Sequence, residues 1–108
     1  MIKLSTILAP TGVKVSRLHY NGTDTTYITY FFYNENGEAF AENKEIDTSY
    51  FVQVDIWTKG DFTDLAKQVL QLMKAAGYYR IYSTELYESD TKLYHKVIRF
   101  QYTESSQN

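Results

Sequence analysis

Residues 50–81 read "YFVQVDIWTKGDFTDLAKQVLQLMKAAGYYRI", and they decide the fold. In "YFVQVDIW" Val52, Val54 and Ile56 alternate with Phe51, Gln53, Asp55 and Trp57, the period of a strand with two distinct faces. Gly60 and Asp61 stop that strand. From Phe62 onward the apolar residues Leu65, Ala66, Val69, Leu72, Met73 and Ala76 recur at helical spacing, which predicts an amphipathic helix over residues 61–76. Asp61 is placed to cap its free N–H groups, and Asp64 complements the helix dipole. Gly77 stands where a left-handed C-terminal cap belongs.

Outward from this unit the chain continues in short strands. "YYRIYSTELY" (78–87) and "LYHKVIRFQY" (93–102) follow the helix, joined by "ESDTK", and the polar end 102–108 is expected to fray. Upstream, "TYITYFFYN" (26–34) is the richest strand signal, with Tyr27, Phe31 and Tyr33 on one face and Ile28, Tyr30 and Phe32 on the other. "NGTDT" (21–25) turns the chain after a weakly patterned strand within "VKVSRLHY" (13–20). "IKLSTILA" (2–9) predicts a short helix before Pro10, and residues 34–49 form a long acidic connection with a turn at Asn36-Gly37. The expectation is a single α+β domain over residues 1–108. A four- to five-stranded sheet, mostly antiparallel or mixed, packs on one long helix and a short N-terminal helix.

Composition narrows the function. The chain has 108 residues, 44% hydrophobic and 22% charged, as in folded water-soluble domains. No apolar run approaches the ~18 residues of a spanning helix, and the opening lacks a signal-peptide pattern. The absence of cysteine excludes disulfides and zinc–thiolate sites. A net charge of −2 gives no global attraction to nucleic acid, and Lys92, Lys96 and Arg99 make only a small basic patch beside an aromatic sheet.

Catalytic chemistry finds no constellation. His95 and His19 are 76 positions apart and form no metal motif. Neither a nucleophile elbow nor a phosphate-binding glycine loop occurs. Asp55, an acid in an apolar strand, has no identifiable second catalytic group and is expected on a solvated or subunit-facing side. His95 is expected to be a structural strand residue, hydrogen-bonded near Asp55 if their strands are neighbours. No enzyme activity, metal or cofactor is expected.

The surface is more informative. Eleven tyrosines, six phenylalanines and one tryptophan put bulky rings on both faces of a sheet that has one long helix to cover it. Exposed aromatic area of that kind marks an interface. The candidate partner-binding residues are Glu35, Asn36, Glu38, Phe40, Glu42, Lys44, Glu45 and Asp47 in the acidic connection, with Phe51 and Trp57 on the sheet.

The segment 50–81, followed by "ELYESDTKLYHKVIRFQY", resembles the tail completion, or head–tail joining (tail terminator), proteins of long-tailed bacteriophages and prophages. In that family a "VQVDIW"-like strand precedes a charged turn, an amphipathic helix ending in "AAG", and a last strand of the "YHKxxRFxY" kind. The resemblance implies a virion structural protein of the head–tail neck, assembled in the host cytoplasm. It also implies a six-subunit ring touching the tail tube and head connector, through which DNA passes without specific binding. The alternative expectation is a small phage- or prophage-encoded binding module that docks on a host protein through its aromatic sheet face.

Overall fold

The computed structural model describes residues 3–33 and 47–105. In chain order these form helix α1 (Leu4–Ile7), a 3-10 turn (Ala9–Thr11), strands β1 (Lys14–Arg17), β2 (Tyr27–Tyr33) and β3 (Asp47–Thr58), helix α2 (Thr63–Ala75), and strands β4 (Tyr79–Glu88) and β5 (Leu93–Ser105). The five strands make one mixed sheet in the order β1-β2-β3-β5-β4. β1 and β2 are parallel, and every other neighbouring pair is antiparallel. The chain is thus an α+β domain with a five-stranded sheet, one long helix and a short N-terminal helix.

The core lies between the helices and one sheet face. Ile28, Val52, Val54, Ile56, Ile98 and Phe100 point to that face and meet Ala66, Val69 and Met73 of α2. Leu4, Ile7 and Leu8 close the same core from the N-terminal side, and the Gln68 side-chain amide ties α2 to the Pro10 carbonyl at 3.1 Å. Each fully buried aliphatic side chain contributes about 1.5–3 kcal/mol through removal of apolar surface from water. The alternation of β3 and the helical spacing of α2 are therefore read by the same core.

The ends of α2 differ slightly from the sequence expectation. Asp61 lies one residue ahead of the N-cap position, Phe62, where its carboxylate accepts hydrogen bonds from the Thr63 amide at 2.9 Å and hydroxyl at 2.6 Å. These bonds to an exposed carboxylate hold its pKa below the usual aspartate value. At the other end, Tyr78 N–H donates to Met73 O and Gly77 N–H to Lys74 O, the two bonds of a Schellman cap, with Gly77 at φ +99°.

The short helix ends before Pro10 as expected, and a 3-10 turn follows it that takes up Pro10 as its second residue, where proline has no N–H bond to lose. Two other boundaries moved. β1 stops at Arg17, since Leu18 adopts a left-handed conformation with φ 73°. β5 does not fray at Tyr102 but pairs on to Ser105, because β3 begins at Asp47 and supplies ladder partners through Thr48, Ser49 and Tyr50. Residues 106–108 and the expected turn at Asn36-Gly37 lie outside the described residues.

Candidate functional site

The sheet face turned away from α2 carries the polar and aromatic side chains that the core rejects. Register places Tyr27, Trp57 and His95 directly opposite one another across β2, β3 and β5. Their rings stack: Tyr27 and Trp57 centroids are 6.0 Å apart, and Trp57 and His95 are 3.7 Å apart with planes at 14°. Tyr20 extends the row, stacked on Tyr27 at 4.5 Å. Desolvation within this row, with the Glu88 charge second, raises the Tyr27 pKa.

Beside the row runs a hydrogen-bonded polar chain. Asp55, 5% exposed, accepts at Oδ1 from His95 Nε2 at 2.8 Å and from Gln53 Nε2 at 2.9 Å. A carboxylate oxygen accepts from an imidazole N–H, so the Nε2–H tautomer satisfies this bond. Gln53 Oε1 in turn accepts from Arg99 Nε at 3.0 Å, and the Arg99 guanidinium lies over the rings of Tyr33 and Tyr82 at 5.7 and 5.1 Å. Trp57 Nε1 donates to Thr29 Oγ1 at 3.1 Å. His95 Nδ1 makes no hydrogen bond among the described residues, and Glu88 Oε2 lies 3.4 Å from it.

This arrangement brings His95 and Asp55 together as neighbours, as expected if their strands lie side by side. Asp55, however, is buried by its own network and not solvated. Phe51 points away from α2, as the alternation requires, yet it is 4% exposed and packed against Tyr33 at 5.8 Å. Long side chains on adjacent strands cover one another, so Phe51 offers no free aromatic area. Trp57 is half-buried in its stack. Asp47 enters the described structure through its ladder pairing with Ser105. Glu35, Asn36, Glu38, Phe40, Glu42, Lys44 and Glu45 lie outside the described residues.

No ligand chemistry emerges from the pair. Among the described residues no cluster of histidine and carboxylates is arranged to hold a metal ion. Lys96 lies on the helix side of the sheet over the Phe62 ring, whereas Arg99 lies on the opposite side, so the basic residues build no groove. Among the described residues no helix is long and apolar enough to cross a membrane.

Apart from Leu18 and Phe32, the large exposed apolar side chains among the described residues lie on strand β4 and its hairpin partner. Tyr79, Ile81, Tyr82, Leu86, Tyr87 and Tyr94 are all between 41% and 54% exposed. Tyr87 and Tyr94 face each other across the hairpin with centroids 5.0 Å apart. The sequence reading missed this surface because β4 carries rings at both parities, a pattern that states no solvent face. Its one available signal was "YYRIYSTELY" itself, which alternates poorly for a strand packed on a core.

The comparison with known families bears on this surface. The family described as Tail completion protein gp17 has a model that matches residues 3–104. The chain belongs to that family. The match takes in the N-terminal helix and all five strands as well as the segment from Tyr50 to Tyr102 that carries the resemblance. No curated protein matches the chain. Membership makes the chain a structural protein of the phage tail, a component of the virion with other phage proteins as neighbours.

Proposed function

We propose that the protein completes the tail at the head–tail neck as a ring of six copies, between the tail tube and the head connector. The observation that carries this reading is the set of exposed tyrosines along the edge strand β4 in a member of a tail completion family. A subunit that must join identical copies and unlike neighbours needs apolar area left uncovered by its own core. The reading assigns no turnover: His95 and Asp55 are strand residues hydrogen-bonded to each other, with no serine or cysteine bonded to either among the described residues. DNA passes the ring without being held, which suits a chain of net charge −2 with no basic groove among its described residues. Assembly takes place in the host cytoplasm before the tail meets the head.

The test uses tails assembled without this protein. Gold-labelled protein added to them is expected at one end of each tail by electron microscopy, and added heads then join. Label spread along the tube, or absent from it, overturns the neck assignment and favours a module that docks on a host protein.

A further inference from the structure

The sheet ends in two strands, β1 and β4, whose outer edges have no strand beside them among the described residues. Unpaired edges are templates for pairing with another chain. Here the two edges differ in charge. β1 carries Lys14 and Arg17, both exposed, and the hairpin end of β4 carries Glu85 and Glu88. Lys14, Arg17 and Glu85 have no ion pair within the described chain.

Strand direction and spacing make the edges complementary. One parallel step and three antiparallel steps leave β1 and β4 running in opposite directions. A second copy that continues the sheet therefore brings its β4 antiparallel to β1. The basic pair and the acidic pair have the same three-residue separation. Aligning Arg17 with Glu85 thus aligns Lys14 with Glu88, Val15 with Tyr87 and Ser16 with Leu86. Faces agree as well: Arg17 and Glu85 lie on the helix side, and Lys14 and Glu88 on the other.

The backbone agrees too. Leu18 N–H donates inward to Tyr30 O at 2.8 Å, so alternation turns the amides and carbonyls of Val15 and Arg17 to the free edge, where the Arg17 carbonyl accepts from His19 N–H at 2.8 Å and keeps a second lone pair for a partner. The Glu88 carbonyl accepts from Lys92 inside the hairpin at 2.7 Å, which leaves those of Tyr87 and Glu85 outward. The outward-facing residues of the two strands are the ones this register pairs. Joining like edges instead sets Lys14 against Arg17, or Glu85 against Glu88, and like charges directly opposite destabilise a ladder.

We propose that β1 of one subunit pairs antiparallel with β4 of a second copy of this chain, Arg17 facing Glu85 and Lys14 facing Glu88. The inference rests on the self-assembly reading above and supplies the surface for it. The contact is heterologous, so it repeats from subunit to subunit and closes into a ring when the rotation permits. Arg17–Glu85 is the leading pair, since the Glu88 carboxylate also neighbours His95.

The absence of native cysteine makes the test clean. Within one subunit β1 and β4 are four strand spacings apart, about 19 Å at ~4.8 Å each, beyond the ~7 Å reach of a disulfide. A chain carrying both Ser16→Cys and Leu86→Cys can therefore crosslink these positions only between copies. Oxidation of the assembled double variant is expected to give a ladder of covalent oligomers, whereas each single variant stops at monomer with little dimer. In parallel, Arg17→Glu and Glu85→Arg each lower the assembled fraction by about tenfold, and the two together restore it. Wild-type assembly without a ladder and without this charge dependence overturns the edge pairing and leaves the ring intact. Failure of the wild-type chain to assemble at all, alone or on tails, removes both.

Discussion

Asp55→Ala removes the acceptor at the centre of the polar chain. The carboxylate holds two hydrogen bonds, from His95 Nε2 at 2.8 Å and Gln53 Nε2 at 2.9 Å, while being 5% exposed. Hydrogen bonds to a charged group contribute about 1.5–3 kcal/mol each, and removing one partner also leaves the other desolvated. His95 is 8% exposed and its Nδ1 already lacks a hydrogen bond among the described residues, so the variant leaves a buried imidazole with neither nitrogen paired. The Gln53 amide retains Arg99 and half-exposure, which recovers part of the loss. The expected net cost is about 3 kcal/mol, within the range for breaking a buried polar pair. Urea unfolding followed by the fluorescence of Trp57, stacked on His95, measures it at both ends. His95→Gln is expected to cost less, and the double variant less than the sum, because the two residues share one bond. Both variants should alter stability or assembly without abolishing any turnover. A change under about 0.5 kcal/mol in Asp55→Ala would refute the reasoning, because surface substitutions alone produce that much.

Further expectations concern the helix cap, the core and alkaline pH. Gly77→Ala puts a Cβ 2.8 Å from Tyr102 Cε1 at a backbone φ of +99°, and chemical denaturation should show a loss of about 2–3 kcal/mol. Phe100→Ala empties a site 1% exposed at the centre of the sheet, with an expected loss of about 3–5 kcal/mol in the same assay. Burial, followed by the nearby Tyr102 and Tyr50 hydroxyls, pushes the Tyr78 pKa up to about 12. The folded value exceeds the unfolded value of about 10, so this contribution to stability is intact below pH ~10 and is lost as pH rises through about 12. Tyrosinate absorbance should show Tyr78 among the last of the 11 tyrosines to titrate, and Tyr78→Phe should remove that late step.

Local signals were legible in the sequence wherever period and punctuation agreed. The β3–α2–Gly77 unit follows from alternation, then helical spacing, then a residue free to take positive φ. The juxtaposition of Asp55 with His95 was legible only as a conditional on their strands being neighbours. The condition itself, that β5 lies beside β3 with β4 outside, is a non-local pairing that no window of sequence contains. The same limit explains why the parallel match of β1 with β2 and the extension of β5 to Ser105 went unread. Phe51 shows how alternation assigns a face without stating what covers it. The ring points away from α2 as expected and is buried there by Tyr33 and its neighbours.

The exposed surface illustrates the converse. Trp57 was singled out because alternation points it away from the helix-covered face, yet its ring is held by Tyr27, His95 and Thr29. The tyrosines of β4 were less conspicuous among eleven, and their exposure follows from position at the sheet edge, not from residue type. Edge strands in proteins that stay monomeric are normally short, charged or covered. A ten-residue edge rich in tyrosine is not short and has no strand beside it among the described residues, and its charges, Glu85 and Glu88, match the basic pair of β1, which fits a subunit whose sheet is completed by another copy.

Native mass spectrometry of the purified chain across a concentration series, with and without isolated tails, tests the central claim most directly. The account predicts hexamers, in solution or on one end of the tail, with no lasting population of symmetric dimers. A chain that remains monomeric at every concentration and ignores the tails contradicts it.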